Sequence, residues 1–287
     1  MPGRSVSVGL ARSAGVAVVA GLLLSSGATG GAAQGGVDYR PPSDALHRPL
    51  HDRLKAERWL ERMQVVIGTF RLPRPVTLRL ESCGEVDAWF EKRTVAVCYE
   101  YLQVVIRRIE SGQLPPWVTA DEALAGAFVD AILHETAHAL FEQQRIPVLG
   151  REEEAADQVS AFTILTLGGE DAPGLIRGMA QLYLSWIGYY QSRPQRPLAT
   201  GAAPGEARAH PTSGQRLYNL VCLALGFDRK AFTPLAKAVD MPEDRASDCA
   251  GEHEQMARAH RALIRPHVDP AREAEARRAL RSFAARR

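Results

Sequence analysis

The chain has 287 residues, 46% hydrophobic and 24% charged, the proportions of an ordinary globular protein and not of a disordered or fibrous one. Lys and Arg number 35 against 33 Asp and Glu, and the surplus lies in residues 1–33, where Arg4 and Arg12 face no acid; the rest of the chain has a formal net charge of zero. A nucleic-acid binder carries a basic surplus, so that class is set aside.

Residues 1–33 have a basic start, the apolar run "AGVAVVAGLLL" from Ala14 to Leu24, and then small residues ending at Ala33. That is the layout of a cleaved signal peptide. An uncleaved anchor is the alternative, but the run is shorter than the about 20 residues a membrane span needs. No cysteine follows the run to take a lipid, and no other stretch is long and apolar enough to span. The expected location is outside the cytoplasm, periplasmic or extracellular, with no stable membrane span after cleavage.

Residues 34–43 ("QGGVDYRPPS") read as a flexible leader. A helix is expected from Ser43–Asp44, with Leu46, Leu50, Leu54 and Leu60 along one face. Arg74–Cys83 alternates apolar and polar residues as a half-buried strand does, and Thr94–Tyr99 reads as a second, neighbouring strand. A helix over 101–110 follows, then a break at Pro115–Pro116. Thr119 or Asp121 can cap a long helix over 121–144, and a second helix runs from "REEEAADQ" to Gly168–Gly169. Further helices are expected over 173–191, 214–225, 229–239 and 243–264, with a Pro-, Gly- and Ala-rich insert at 193–213 and a charged, solvated tail at 269–287. The expected fold is α+β and mainly α-helical: one domain over 44–268, with a small N-terminal sheet packed on the helix that carries His134 and a helical C-terminal half.

Four cysteines, Cys83, Cys98, Cys222 and Cys249, allow three pairings in an oxidising compartment. The local pairing closes two short loops, each worth about 3–3.5 kcal/mol by the chain-entropy estimate. The cysteines have no paired C-x-x-C spacing, which argues against a cysteine zinc site.

The chemistry is concentrated in "HETAH", His134 to His138, inside an apolar helical run. Residues i and i+4 of a helix project from one face, so both imidazoles can reach one metal ion. Glu135 is rotated about 100° from His134, out of easy reach of that ion but able to reach a water on it, where a general base is needed. A catalytic zinc takes a third protein ligand. Downstream, Glu153 and Asp157 are again i and i+4, followed on that face by the small residues Ser160 and Ala161. Glu153 is the candidate third ligand, and Asp157 the acceptor of the outer N–H of His134. Glu152 and Glu154 flank that face and are expected to meet solvent as an acidic first turn. His47 and His51 also stand i and i+4, but no glutamate separates them, and they read as surface.

"HETAH" followed by "EEAAD" (Glu153–Asp157) resembles the gluzincin pattern of zinc metallopeptidases, which cleave peptide bonds with a zinc-bound water. More closely, the chain resembles a family of exported bacterial proteins described as putative metallopeptidases, of uncharacterised substrate. The resemblance is carried by "ESCGEVDAWF", "VAVCYEYL", "HETAHALF", "PVLGREEEAADQ", "GQRLYNLVCLALG", "MPEDRASDC" and "RPHV", which together span most of residues 80–268. It implies a zincin-like fold, a peptide or protein substrate, and one Zn2+ per chain on His134, His138 and Glu153, with Glu135 as general base. It also supports the local disulfides Cys83–Cys98 and Cys222–Cys249. The family pattern places an acidic residue before the histidine upstream of "QRLYN", whereas here Ala209 precedes His210. His210 is a candidate transition-state donor; Arg216 can take the same part or pair with a carboxylate in the core. The rival readings are a non-catalytic zinc-binding interaction module of the cell envelope and a plain helical protein with hydrogen-bonded histidines.

Overall fold

Thr119 starts the central helix with a capping box: its hydroxyl accepts from Glu122 N at 3.2 Å, and Thr119 N donates to the Glu122 carboxylate at 3.0 Å. The helix that follows spans Ala120–Gln144, and residues 123–137 are all buried, so it is apolar on every face and forms the core of the domain. It is the fourth helix, α4, in a computed structural model that describes residues 35–192 and 210–283. The proposed signal peptide and most of the 193–213 insert lie outside the described residues.

In chain order the elements are β1 (Val37–Tyr39), α1 (Arg48–Ala56), α2 (Trp59–Ile67), β2 (Thr77–Glu81), β3 (Ala88–Glu91), β4 (Thr94–Cys98), α3 (Tyr99–Glu110) and α4. Then come α5 (Glu152–Leu167), α6 (Ala172–Gln191), α7 (Ser213–Phe227), α8 (Arg229–Ala238), α9 (Glu243–Leu263) and α10 (Glu273–Arg281). The fold is α+β and mainly helical, with a four-stranded sheet near the front, as expected. Strand order is β1-β2-β4-β3. β1 and β4 run parallel to β2, and β3 returns antiparallel to β4 through Lys92 and Arg93, both at positive φ, the geometry of a two-residue hairpin turn. Leu78, Leu80, Val95 and Val97 are fully buried between the sheet and the helices.

Two disulfides form, Cys83–Cys98 and Cys222–Cys249. The first ties the segment after β2 to the end of β4. The second ties α7 to α9, whose 21 residues bury only Cys249. Among the described residues no helix is long and apolar enough to cross a membrane.

Several expectations need correction. Val37–Tyr39, inside the presumed leader, is an edge strand, too short to show a period in the sequence. The presumed solvated tail carries Ala276, Leu280 and Phe283 on one stripe; all three are buried, and the Phe283 ring lies 5.1 Å from that of Trp59 in α2. Arg278 and Arg281 are exposed, and Arg272 and Arg277 reach back to the carbonyls of Gly68 and Thr166, so the tail is docked although its composition reads as solvated. The leucine face from Leu46 to Leu60 is broken by left-handed Arg58, and Leu46 is exposed. His47 and His51 are buried against the Tyr99 ring, not on the surface. The strands around Val76–Leu80 and Val95–Val97, which the sequence suggests for edge addition of an extended substrate, are both interior strands, so neither offers a free edge.

α4 and α6 meet through two glycines. A Cβ on Gly178 would lie 1.9 Å from Glu122 O, and one on Gly126 would lie 2.5 Å from the Gly178 Cα. Backbone cannot yield that space without separating the helices. Gly178→Ala is expected to cost at least about 1–3 kcal/mol, read as a fall in the urea unfolding midpoint; an unchanged midpoint would show that the helices do not pack this closely.

Candidate metal centre

His134 and Glu135 are 5% and 7% exposed on a helix with apolar neighbours on every side, a position that demands polar partners. The partners of the two imidazoles of the helix, His134 and His138, come from the first turn and a half of α5. His134 Nδ1 meets Asp157 Oδ1 at 2.9 Å, and His138 Nδ1 meets Glu152 Oε1 at 2.7 Å. Each imidazole thus has a carboxylate on its outer nitrogen, which orients the ring and turns Nε2 inward. The two Nε2 atoms stand 3.2 Å apart, and Glu153 Oε2 lies 3.1 Å from that of His134 and 3.5 Å from that of His138.

That triangle tests whether the residues fit an ion. Ligands held tetrahedrally at about 2.0–2.1 Å from zinc stand about 3.3 Å from one another. The three observed edges bracket this value. Two nitrogens and one carboxylate oxygen are also a donor set suited to zinc and leave one coordination position open. The residues fit.

Asp157 is held from its other side. Arg216, 5% exposed, donates from Nε to Oδ2 at 2.8 Å and from Nη2 to Oδ1 at 2.5 Å, a bidentate pair. Its guanidinium lies 4.5 Å from the Tyr183 ring centroid and 4.9 Å from that of Trp186. Of the two roles open to Arg216, the structure places it on a core carboxylate. Tyr183 also donates to Asp130 Oδ2 at 3.2 Å, and Ser160 donates to Asp130 Oδ1 at 2.8 Å. A continuous polar chain therefore runs from His134 through Asp157, Arg216 and Tyr183 to Asp130.

The electrostatics follow this wiring. Burial alone lowers the His134 imidazolium, but the Asp157 and Glu153 carboxylates outweigh it and push the ring up to about 10. Burial raises Asp157, and Arg216 with His134 more than reverses this, holding it well below the usual carboxylate range. Glu153 is held down in the same way by His134 and His138. Glu135 is raised by burial, against the pull of His134 and His138. A buried carboxylate with a raised pKa and no hydrogen-bond partner among the described residues is chemically suited to take up a proton.

His210 stands at the rim, half exposed, with Nδ1 3.0 Å from Glu153 Oε2 and its ring stacked 5.9 Å from that of His134. Burial and Arg216 lower its pKa. A cavity of about 430 Å³ opens beside Glu135 and His210. The site thus assembles His134, Glu135, His138, Glu153, Asp157 and His210 from three separate stretches. The sequence reading sent Glu152 to solvent; its carboxylate is 55% exposed yet bonds His138. It also missed Asp130, four residues before His134 on the same face. A lone acid in an otherwise apolar run was the available signal. Tyr183 gave none.

With divalent ions chelated, the raised His134 contributes stability that is fully present below about pH 6.5 and is lost as pH rises through about 10. The urea midpoint of the chelated protein is therefore expected to fall across that window. A flat profile there would mean that His134 is not held between two carboxylates.

A family model described as putative metallopeptidase matches residues 39–264. No curated protein and no solved structure matches the chain. The matched segment holds every residue of the triangle, its outer carboxylates and Glu135. The chain belongs to this metallopeptidase family.

Proposed function

We propose that the protein is an exported zinc-dependent peptidase. One observation carries the reading: two Nε2 atoms and one carboxylate oxygen form a triangle of the size that zinc requires, with buried Glu135 beside it. Export is supported by the layout of residues 1–33 and by two disulfides, which persist in oxidising compartments.

On this reading His134, His138 and Glu153 hold the ion. A zinc ion held there would supply a Lewis acid for the scissile carbonyl and would lower the pKa of a bound water toward about 7. Glu135 accepts the proton as the water oxygen adds to the carbonyl carbon, and delivers it to the amide nitrogen as the C–N bond breaks. His210, at the rim, donates to the negative oxygen that develops on the carbonyl. Asp157 and Glu152 keep the two imidazoles in the tautomer that presents Nε2, and Arg216 keeps Asp157 ionised and in place. An extended substrate lies along β3, the sheet edge whose leading residues Val86–Ala88 line the cavity.

Glu135→Gln is expected to retain one zinc per chain and to lose 10²-fold or more of peptide hydrolysis, on the order of a general base's contribution. Metal analysis beside a peptide-library digest reads both; full activity in the variant would remove Glu135 from the chemistry. Glu152→Gln is expected to weaken zinc binding by about 10- to 100-fold, measured by chelator competition, and an unchanged affinity would make the His138 contact incidental. Zinc affinity is expected to rise with pH toward about 10, because the His134 proton must leave before the ring can ligate. An affinity independent of pH between 6 and 9 would rule out His134 as a ligand.

A further inference from the structure

The cavity beside Glu135 is lined mainly by apolar surface, with Gln191, His210, Thr212 and Ser213 among its polar lining residues. Val86 comes from the approach to β3 and Ala88 from its first position, Tyr101 from α3, Ala131 from α4, and Trp186 and Ile187 from α6. At about 430 Å³ it falls within the size range of binding sites for small ligands and side chains. The charges nearby are already committed. The Arg216 guanidinium is neutralised by Asp157 and covered by the Tyr183 and Trp186 rings. Glu135 is the proposed base, and Asp87 stands at the exposed rim, where it accepts from Ala88 N. A cationic side chain entering the depth would find a counter-ion only by tying up the proposed base Glu135, and an anionic one would face its like charge, whereas an apolar one would only shed water.

Ala131 decides how deep the space runs. It stands three residues before His134 and four before Glu135 on α4, so it shares their face, and its methyl group is 2% exposed. Any longer side chain there would occupy the space next to the base. Ile187, half-buried on α6, lines the same cavity with a larger side chain whose truncation would widen it.

We propose that this cavity is the specificity pocket, that it takes a large apolar or aromatic side chain from a residue flanking the scissile bond, and that Ala131 and Ile187 set its depth. The proposal rests on the peptidase reading of the neighbouring site. It also narrows the substrate: large apolar residues are mostly buried in folded proteins, so the chain presented here is an extended or unfolded polypeptide, the form that pairing with β3 also requires.

The test uses the zinc-loaded full chain carrying Glu135→Gln, which binds without turnover on the reading above. Fluorescein-labelled pentapeptide pools, each with its central residue fixed as Phe, Leu, Trp, Gly, Lys or Asp, are titrated by anisotropy. The Phe and Leu pools are expected to bind about tenfold or more tighter than the Gly, Lys and Asp pools, the range that burial of one such side chain supplies. Adding Ala131→Phe is expected to erase that preference while zinc content stays at one per chain. Adding Ile187→Ala, which opens the pocket where the first variant fills it, is expected to tighten the Trp pool relative to Phe. Equal affinities across the pools, tightest binding of Lys or Asp, no binding of any pool, or a Phe preference that survives Ala131→Phe would each overturn the proposal. The two readings separate cleanly. Selective binding with no hydrolysis by the wild-type chain would sink the peptidase and leave the pocket, and hydrolysis with a flat residue profile would do the reverse.

Discussion

The bidentate pair between Arg216 and Asp157 is the interaction on which the rest of the site depends. Asp157 has to be ionised to hold the outer nitrogen of His134, yet it sits where burial favours its neutral form. Arg216 reverses that preference. The same guanidinium lies against Tyr183, and Tyr183 bonds Asp130 one turn before His134, so α4, α5, α6 and α7 are clasped around a single charge network. Removing one partner from such a network strands the other as a buried charge, which is far costlier than losing a surface ion pair. The orientation of the His134 ring is thus a consequence of core electrostatics.

The sheet contributes position more than stability. Its interior strands are shielded on both sides, which leaves β3 at the end of the row, with its approach residues forming one wall of the cavity. That approach is held twice: Cys83 is crosslinked to Cys98, and the Glu100 carboxylate accepts from Cys83 N at 3.1 Å and Gly84 N at 3.0 Å. A loop with few buried side chains would otherwise be among the least stable parts of the molecule. The disulfide and Glu100 keep that wall at a fixed distance from α4.

Legibility in the sequence follows the range of the interaction concerned. The α4 helix, its Thr119 cap and the shared face of His134 and His138 are set within a few residues of chain, so they could be read directly. Glu153 and Asp157 were legible for the same reason, through their i, i+4 spacing on α5. β1 was missed because three residues show no period, and β3 because "DAWFEKR" has no apolar alternation strong enough to stand out. The docking of α10 was hidden by its arginines, although Ala276, Leu280 and Phe283 mark its buried stripe.

The sequence by itself determined which groups the chain could offer a metal, two imidazoles and a carboxylate spaced so that each helix presents its own on one face, because helical periodicity is a local property. It also determined that these groups needed partners, since a charge in an apolar run is costly. Tertiary structure alone decided which partners they found. It set Glu152 rather than solvent on His138, put Arg216 on Asp157 rather than at the rim, joined Tyr183 to Asp130, and placed β3 rather than β2 or β4 at the sheet edge beside the cavity. Those outcomes depend on the distance between helices remote in the chain, and that distance is fixed by packing, in particular by the close approach at Gly126 and Gly178, which no local pattern encodes.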